Sequence, residues 1–558
     1  MKDIIVEELI SKSGEPTLKI NNYLLHSKYN PKKEAKLFVE KQYKVGSILI
    51  LFGYGCGYIL EEFIKQSSDE KIIVIDPYLS PEKKYPSRVS FISETDEQQI
   101  EKEIMQQVGM EENCYLVISP NYDQIFKEIY TNILQAIKNT LFINKVYENT
   151  VVGSSMDWFR NYTNNLKYAI EDNSLVQLEQ ITNKPVVVAS GGPSLTKQLE
   201  LVKQHRDKFI LIASGSTVRS LARENIEPDY IVSIDGSEDN LQHFNKIGLT
   251  NAKFIYGMQS HFEARKEFND AYYFLQAYSQ NLQPHLEDIT QEPVAILLGG
   301  GSVAHFALAI ATYISTGEIA LIGQDLAYTD GLSHAQGNKR QENIDFDNSK
   351  NSYIKTKGYY GEDVYTDYPF LSMKKTFEGM RAQLKDRENI FNCTEGGIYL
   401  EGYDQVTFKK FLEKNAEIIH VQNYENKLNT TKTYCNLLNK LQLEINQLKE
   451  AQTVVEKNLR LVNKVKDKGV FSQKSLTALN KNDKKLKRAF ENTAMFILTA
   501  PIDLQVQKYF SEQDTKEHQK KKFERVIKQN LTLYQGYILA IESAKKVIND
   551  LIKELESL

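Results

Sequence analysis

The residues that could do chemistry follow short apolar runs in the middle of this 558-residue chain. The run at 186–189 leads through Ser190 into the turn Gly191-Gly192-Pro193-Ser194. Such a turn exposes backbone N–H groups at the start of a helix, where the helix dipole also favours an anion. The Gly-Lys-Ser/Thr ending of a Walker loop is missing. The pattern therefore predicts a phosphate-binding turn of another kind.

Four further apolar runs also end in small or polar residues, which are Ser214-Gly215-Ser216, Asp235, Gly300-Gly301-Ser302 and Gln324-Asp325. In an open parallel sheet, ligands bind outside the carboxyl ends of the strands. Five such ends would line one crevice. Gly and Ser also terminate purely structural strands, but five in series favour a nucleotide or a phosphorylated ligand.

A separate glycine loop, Gly53-Tyr54-Gly55-Cys56-Gly57, follows an apolar run near the N-terminus. Asp76 stands at the end of the next apolar run, where an acid can bind ribose hydroxyls. This spacing is typical of dinucleotide-binding loops and of Rossmann-type methyltransferases. The alternative is a degenerate Rossmann domain whose glycines only turn the chain.

The elements that must position these residues alternate between strand and helix before Gly402, which predicts parallel α/β architecture. We expect a Rossmann-like N-terminal domain at 1–120, a helical linker region at 121–180 and a central catalytic α/β domain at 181–402. Glycine and proline are scarce after that point, and apolar residues recur every three or four positions. Residues 421–558 are therefore predicted to form an all-helical bundle.

Composition excludes several classes of protein. Hydrophobic residues make up 41% and charged residues 25%, as in soluble globular proteins, and the formal net charge of −4 does not indicate a nucleic-acid binder. The four cysteines are widely separated and no signal peptide is evident, so we expect a cytoplasmic protein. The uncharged stretch 293–317 is long enough to cross a bilayer, but glycines interrupt it. A buried strand at 294–298 and a buried helix from Ser302 to Ile314 are favoured instead.

Charge divides the chain as well. Residues 421–558 contain 25 Lys and Arg against 16 Asp and Glu. This basic helical region could dock an acidic protein partner, or it could be a solvated lysine-rich surface.

Several of these motifs together resemble the motility-associated factor (Maf) family of bacterial flagellin glycosyltransferases. The similarity lies in residues 24–402, and its longest motifs are Ser190-Gly191-Gly192-Pro193-Ser194-Leu195, Ser233-Ile234-Asp235, Gly300-Gly301-Ser302-Val303-Ala304-His305, Ile322-Gly323-Gln324-Asp325-Leu326-Ala327-Tyr328-Thr329-Asp330-Gly331 and Asn392-Cys393-Thr394-Glu395-Gly396-Gly397. The central domain of that family is in turn similar to bacterial sialyltransferases.

The resemblance implies a reaction, which is transfer of a nonulosonic acid of pseudaminic or legionaminic type from a CMP-activated donor to flagellin Ser or Thr. This modification would be needed for flagellar filament assembly and motility. By the same resemblance, residues 191–194 face the phosphate and ribose, and residues 214–216 form a second wall. Asp235 and Gln324-Asp325 flank the nucleotide or sugar, while residues 300–302 face the cytosine or ribose.

Catalytic roles follow from the same comparison. Sialyltransferase-like enzymes use a histidine downstream of the Ile-Gly-x-Asp segment, which makes His334 the candidate general base; an ordinary surface-loop histidine is the alternative reading. Asp325 is the second candidate for the base and Asp330 the third. Contacts to phosphate or sugar are expected from Tyr328, Tyr359, Tyr360 and Glu395.

No metal and no cofactor beyond the CMP-sugar is expected, because Ser233-Ile234-Asp235 lacks the first acid of an Asp-x-Asp motif. Asp345-Phe346-Asp347 has that spelling, but it lies in a polar stretch after no clear strand. Residues 336–358 are predicted to form a mobile loop that excludes water from the activated sugar.

Two other functions remain open. Relatives of this α/β domain include a pterin pyrophosphokinase type, which would need ATP and Mg²⁺. A non-catalytic flagellin-binding assembly factor with a decayed site is the other alternative. The sequence predicts no oligomeric state.

Overall fold

The computed structural model describes residues 4–557 except 68, 80, 82, 109–112, 250, 339, 347–352, 385–386, 416–432, 492 and 511–517. The chain divides into two compact units, each built from separated segments. Unit 1 comprises Met1–Ser155, Val454–Asn482 and Thr499–Leu539. Unit 2 comprises Met156–Thr453, Asp483–Leu498 and Ala540–Leu558.

Unit 1 contains an antiparallel three-stranded sheet and a parallel four-stranded sheet. The first sheet is formed by β1 (Val6–Ile10), β2 (Pro16–Ile20) and β3 (Tyr23–Leu24). The second is formed by β4 (Ile48–Phe52), β5 (Ile72–Ile75), β6 (Val89–Ile92) and β7 (Cys114–Ile118), in the order β6-β5-β4-β7. Every residue of β4 and β5 is buried, as expected for strands covered on both faces.

Unit 2 contains a ten-stranded sheet with order β14-β13-β12-β11-β10-β9-β15-β18-β19, in which β8 also pairs with β13. All of its pairings are parallel. Its strands are β8 (Asn173–Ser174), β9 (Val186–Ala189), β10 (Ile210–Ser214), β11 (Tyr230–Ser233), β12 (Lys253–Gly257), β13 (Ala271–Gln276), β14 (Ile296–Leu297), β15 (Ile319–Ile322), β18 (Ile390–Asn392) and β19 (Asp404–Gln405). A hairpin of β16 (Ile354–Lys357) and β17 (Asp363–Thr366) lies apart from this sheet.

The helices in chain order are α1 (Pro31–Gln42), α2 (Tyr58–Gln66), α3 (Glu97–Gln107), α4 (Tyr122–Ile125), α5 (Lys127–Glu171), α6 (Leu195–Gln204), α7 (Val218–Arg223), α8 (Glu238–Phe244), α9 (Gln283–Thr290), α10 (Val303–Ile314), α11 (Tyr368–Gln383), α12 (Phe408–Asn415), α13 (Tyr434–Lys468), α14 (Gln473–Glu491), α15 (Phe496–Phe510) and α16 (Gln519–Glu556). The predicted fold class, α/β followed by a helical C-terminal region, is therefore confirmed. The described helices include none with the length and hydropathy to span a membrane.

Strand order in unit 2 reverses between β9 and β15. From β9 the chain adds β10 to β14 on one side, and then α10 returns beneath β9, β10 and β11 to start β15 on the other side. α10 has no charged residue and packs with Val188, Ile212 and Val232 in the core of the sheet. A reversal of this kind opens a crevice at the carboxyl ends of the two central strands.

Two sequence-based boundaries were inaccurate. The strand expected at 294–298 is only Ile296–Leu297, because its partner β13 pairs with it through just Leu275 and Gln276. The helix expected to start at Ser302 starts at Val303, because Ser302 is its N-cap: its extended backbone lets Oγ accept from Ala304 N at 3.3 Å.

Candidate active site

A cavity of about 360 Å³ lies at the reversal of strand order in unit 2. The carboxyl ends of β9, β10, β11 and β15 surround it, together with the N-terminus of α10. Its walls are Ser190, Gly191, Gly192, Ser214, Ser216, Asp235, Asn240, His243, Gly301, Ser302, Val303, Ala304, Gly323, Gln324, Asp325, Leu326, Ala327, Ser333, His334, Arg340, Phe370 and Met373.

Ten of the residues singled out in the sequence line this cavity, which are Gly191, Gly192, Ser214, Ser216, Asp235, Gly301, Ser302, Gln324, Asp325 and His334. Eight others lie outside its walls, which are Pro193, Ser194, Gly215, Gly300, Tyr328, Tyr359, Tyr360 and Glu395. Four of the five predicted strand ends are contiguous in the sheet. The fifth, residues 300–302, follows the edge strand β14 and reaches the cavity through the start of α10.

The first turn is bound tightly to the end of β15. Gly192 N donates to Gly323 O at 2.8 Å, and Ser190 Oγ donates to Gln324 Oε1 at 2.6 Å. A Cβ on Gly192 would lie 2.1 Å from Asp325 Oδ1 and 2.6 Å from Gly323 O. Glycine is required at position 192 because of this close approach of two strand ends.

The carboxylate of Asp325 fixes the turn through hydrogen bonds from Ser194. It accepts hydrogen bonds from Ser194 Oγ at 2.7 Å, from Ser194 N at 3.2 Å and from Thr329 Oγ1 at 2.6 Å. Burial raises the pKa of Asp325 to about 6, although these hydrogen bonds act in the opposite direction. Since the carboxylate is saturated by donors of the protein itself, the geometry favours a positioning role for Asp325 over proton abstraction.

The second wall is formed by residues after β10 and β11. Ser214 Oγ and Thr217 Oγ1 are 2.9 Å apart, and Ser216 faces the cavity. Asn240 Nδ2 donates to Ser233 Oγ at 2.9 Å and to Asp235 O at 2.8 Å, which fixes the end of β11. These contacts leave Asp235 exposed at the rim of the cavity.

His334 belongs to a segment that covers the cavity, which we call the cap segment and define as residues 331–338 and 340–344. Ala335 N donates to Gly191 O at 2.9 Å, and Asn338 Nδ2 donates to Ser216 O at 3.2 Å. The cap segment is thus fastened to both turns. Part of the loop predicted at 336–358 lies outside the described residues, and its mobility stays a prediction.

The imidazole of His334 is suited to accept a proton. Nδ1 is buried and has no hydrogen-bond partner within the described structure. Burial lowers the pKa of His334, a hydrogen bond with the main chain of Arg340 opposes that shift, and the nearby Arg340 charge adds to it. The ring is therefore neutral at pH 7, which is the form that a general base needs.

The predicted tyrosine and glutamate contacts are used elsewhere in the fold. Tyr359 Oη donates to the backbone oxygens of Asn392 and Val406, both at 3.1 Å. Tyr328 Oη donates to Asp367 Oδ2 at 2.7 Å, while Glu395 Oε2 accepts from Phe408 N at 2.9 Å. Tyr360 is 67% exposed. None of these four side chains lines the cavity.

Asp330, the third candidate for the base, is not among the residues that line the cavity. Its carboxylate pairs with Lys197 Nζ at 2.9 Å, and both side chains are about two-thirds exposed. Asp345 is described, whereas Asp347 of the Asp-x-Asp sequence lies outside the described residues. Within the described part of the chain, no group of three or more His, Cys, Asp or Glu side chains could hold a metal ion.

Sequence reasoning missed several lining residues, among them Asn240, His243, Ser333 and Arg340. A usable signal existed for the first two. They are three positions apart on α8, which begins directly after the Asp235 strand end and so starts at the same edge of the sheet. Arg340 follows His334 by six positions, but its approach to the cavity depends on how the cap segment folds back.

The glycine loop of unit 1 is a second candidate, and its groups are already engaged. Tyr54 N donates to Asp76 Oδ2 at 2.8 Å, Gly55 N to Tyr122 Oη at 3.0 Å and Cys56 N to His26 Nε2 at 2.9 Å. Tyr122 Oη in turn donates to Asp76 Oδ2 at 2.6 Å. The Tyr54 amide thus binds the acid directly, the Gly55 amide is joined to it through Tyr122, and the Cys56 amide binds His26.

Comparison of the sequence with known protein families gives a partial match in the central region. A sequence model of the family described as "6-hydroxymethylpterin diphosphokinase MptE-like" matches residues 160–331, which is less than half of the chain. The match includes the turns after β9, β10, β11 and β15, and it ends before His334 and Arg340. An uncharacterised protein of Treponema pallidum (strain Nichols) is 32% identical over 79 residues, or 14% of this chain and 37% of that protein.

A solved structure then accounts for nearly the whole chain. The Maf glycosyltransferase from Magnetospirillum magneticum AMB-1 superimposes with a TM-score of 0.58 and 14% sequence identity. The alignment covers 98% of this chain and 95% of that protein. The predicted resemblance to the motility-associated factor family is confirmed at the level of the fold.

Proposed function

We propose that the chain is a glycosyltransferase that transfers a nonulosonic acid from a CMP-activated donor to Ser or Thr hydroxyls of flagellin, in the bacterial cytoplasm. One observation carries the proposal. A single cavity at the reversal of strand order combines the two glycines of the Gly191-Gly192 turn, a neutral histidine and a cationic side chain. The similarity in fold to a Maf glycosyltransferase supports it.

The cavity suits a nucleotide. Its volume of about 360 Å³ falls in the usual range for small-molecule sites. The first residues of α10 line it together with Gly191 and Gly192, and backbone N–H groups at the start of a helix favour a phosphate. Departure of CMP needs donors near its phosphate. The N–H groups of Gly192 and Ala304 already donate within the protein, so this role falls to the N–H groups of Gly191 and Val303 in place of the tyrosines expected from the sequence.

His334 would serve as the general base. The acceptor hydroxyl oxygen forms the bond to the anomeric carbon as the bond from that carbon to the phosphate oxygen breaks, with its electron pair passing to CMP. The hydroxyl proton goes to the neutral imidazole. Its lowered pKa keeps the ring unprotonated at neutral pH and so available for this step.

Recognition of flagellin is assigned to the basic helical region at 421–558, where Lys and Arg exceed Asp and Glu by 25 to 16. Its surplus of positive charge would favour an acidic patch on the partner. A direct test of the transfer is the mass of flagellin after incubation with the protein and a CMP-nonulosonic acid. Addition of one nonulosonic acid residue per modified hydroxyl is the expected result.

The decisive first experiment is calorimetric titration of the full chain with CMP, with and without EDTA. We expect binding that survives EDTA and is lost in Gly192→Ala, because a methyl group there displaces Asp325 and opens the turn. Gly379→Ala is the matched control, because that glycine lies outside the cavity walls on α11 with no atom within 4 Å of an added Cβ. Absence of CMP binding by the wild-type protein would refute the proposal.

The family match to a pterin diphosphokinase favours a second candidate, a diphosphate transfer from ATP. The same calorimeter separates the two functions. Binding of ATP with Mg²⁺, abolished by EDTA and accompanied by no response to CMP, would select the diphosphokinase. Binding of neither nucleotide, with intact binding of flagellin, would instead indicate a non-catalytic assembly factor.

A further inference from the structure

Arg340 is the one permanently cationic side chain among the described residues that line the cavity. Its main chain is fixed within the cap segment: Arg340 N donates to Asn338 Oδ1 at 2.9 Å, and Arg340 O accepts from Ser333 Oγ at 2.7 Å. Its guanidinium has no hydrogen bond or ion pair with any described residue. Arg340 thus lines the cavity, is exposed to solvent and has no counter-ion among the described residues.

The backbone next to Arg340 is fastened to the two turns predicted to hold phosphate. Asn338 reaches Ser216 O, and its Nδ2 would lie 3.1 Å from a Cβ on Gly191. The wall also contains two carboxylates: Asp325 accepts hydrogen bonds from Ser194 and Thr329, and Asp235 is exposed at the rim. Among the described residues of the wall, Arg340 is therefore the side chain whose positive charge is present at every physiological pH and can pair with an anionic ligand.

We propose that Arg340 determines specificity for a phosphate-bearing ligand by pairing with its anionic group above the Gly191 turn. The inference rests on the proposed function in its choice of CMP as ligand. Charge-assisted bonds from a guanidinium to phosphate oxygens are strong and geometrically specific, so loss of this partner weakens binding of the phosphate and leaves the nucleoside contacts in place.

The test is titration of the full chain with CMP, with cytidine and with inorganic pyrophosphate. Arg340→Gln is expected to weaken CMP and pyrophosphate at least about tenfold and to leave cytidine unchanged. Lys197→Gln removes the same charge outside the cavity and should alter none of the three. Equal affinities in Arg340→Gln and wild type would overturn the inference. If wild-type protein binds pyrophosphate but not CMP, the proposed function fails. The role of Arg340 is then judged only from the affinities of wild type and Arg340→Gln for pyrophosphate.

The glycine loop of unit 1 carries a second, independent inference. The space left by the missing side chains of its glycines is occupied by aromatic side chains of the protein itself. A Cβ on Gly53 would lie 2.5 Å from the ring of Tyr122, and one on Gly55 would lie 2.5 Å from His26 Nε2. Tyr122 is 1% and His26 is 4% exposed. A dinucleotide or an S-adenosyl cofactor would need the same space.

The polar groups of the loop are equally occupied. The amides of residues 54, 55 and 56 bind Asp76, Tyr122 and His26, while Asp76 Oδ1 accepts from Tyr78 N at 2.9 Å and Leu79 N at 2.8 Å. The hydroxyl of Tyr122 bonds to the acid that would otherwise receive a ribose hydroxyl. Burial lowers the pKa of His26 to about 4, so its neutral ring can accept the Cys56 amide.

We infer that this loop binds no cofactor and that Tyr122 and His26 are its internal ligands. The loop then anchors the segment that follows β7 onto the carboxyl edge of the small parallel sheet. Ser119 Oγ, which donates to Gly53 O at 2.6 Å, belongs to the same anchor. The motif has the spacing of a nucleotide-binding loop, but its backbone amides and its acid form hydrogen bonds within the protein.

Hydrogen–deuterium exchange at single residues of the full chain tests this assignment. Tyr122→Phe removes one hydroxyl and should speed exchange of the Gly55 amide at least about tenfold while the Cys56 amide stays protected. His26→Phe should do the reverse, so each variant is the control of the other. Rapid exchange of both amides in wild type, or their further protection on addition of NAD⁺ or S-adenosylmethionine, would overturn the inference.

Discussion

Gly192→Ala is the most informative single substitution in unit 2, because it adds one methyl group where two strand ends meet. The added carbon would lie 2.1 Å from Asp325 Oδ1 and 2.6 Å from Gly323 O, well inside an ordinary contact distance. The main chain of Asp325 has no space to retreat, because Gly397 approaches so closely that a Cβ there would lie 2.1 Å from the Asp325 backbone oxygen. Either the turn or the Asp325 carboxylate must move.

The cost can be estimated from the contacts that are lost. Overpacking of this kind destabilises by about 1–3 kcal/mol. Separation of Ser194 from the Asp325 carboxylate removes a hydrogen bond to a charged group, worth about 1.5–3 kcal/mol. Reduced freedom of the unfolded chain returns about 0.4–1 kcal/mol. We expect the variant to unfold with a free energy lower by roughly 3 kcal/mol.

Urea denaturation followed by tryptophan fluorescence measures this loss. The chain has one tryptophan, Trp158, which belongs to unit 2 and packs against Tyr278 with ring centroids 5.9 Å apart. Gly301→Ala is the control, because an added Cβ there meets no atom within 4 Å and should change stability by less than about 0.5 kcal/mol. Equal midpoints for the two variants would refute the reasoning.

Three further predictions concern charge in unit 2. The lowered pKa of His334 keeps the base form dominant at neutral pH, so the transfer rate should fall only below about pH 6.5. His334→Gln should lose most of the transfer rate and also this decline at acidic pH. A pH–rate profile that is the same in the variant and the wild type would exclude the histidine as base. Burial raises the folded-state pKa of Asp325 to about 6, above its unfolded value, so its stabilising effect is present at low pH and lost as pH rises from about 4 to 6. Asp325→Asn lacks this dependence. Between about pH 4 and pH 6, its free energy of unfolding in urea should rise relative to that of the wild type by roughly 3 kcal/mol. The same pH dependence in both proteins would contradict the shift. Arg265 donates from Nε at 2.7 Å and from a terminal nitrogen at 2.5 Å to the buried carboxylate of Asp172. Arg265→Met should therefore destabilise unit 2 by about 3–5 kcal/mol, and Asp172→Asn added to it should restore part of the loss. A small loss of stability in Arg265→Met alone would show that the carboxylate finds another partner.

Sequence patterns predicted the strands of the site well, for a physical reason. Strands buried on both faces read as continuous apolar runs, and the polar residues that follow them must lie at the carboxyl edge. Four of the five predicted strand ends therefore meet at one cavity. The order of the strands was not readable, because no local pattern encodes which neighbours a strand pairs with. Thus β14 lies at the edge of the sheet, and Ser302 reaches the site only as the N-cap of α10.

Individual side chains were harder to predict than strand ends. Tyr359 looked like a phosphate donor in the sequence, yet its hydroxyl satisfies two backbone carbonyls instead. Its role was decided by burial, which sequence spacing does not report. The glycine loop of unit 1 gave a correct fold and an ambiguous function for the same reason. Spacing shows that the backbone turns tightly, but not whether a ligand or Tyr122 occupies the space.

The division into units has a consequence for the synthesis of the chain. Both units draw segments from the C-terminal helices, and α16 alone contributes to unit 1 up to Leu539 and to unit 2 from Ala540. On the ribosome, neither unit has all of its parts until the last helix has emerged. Until then both units are incomplete, and apolar surface that α16 covers in the folded protein is exposed. We expect such a nascent chain to need protection from aggregation until α16 has emerged.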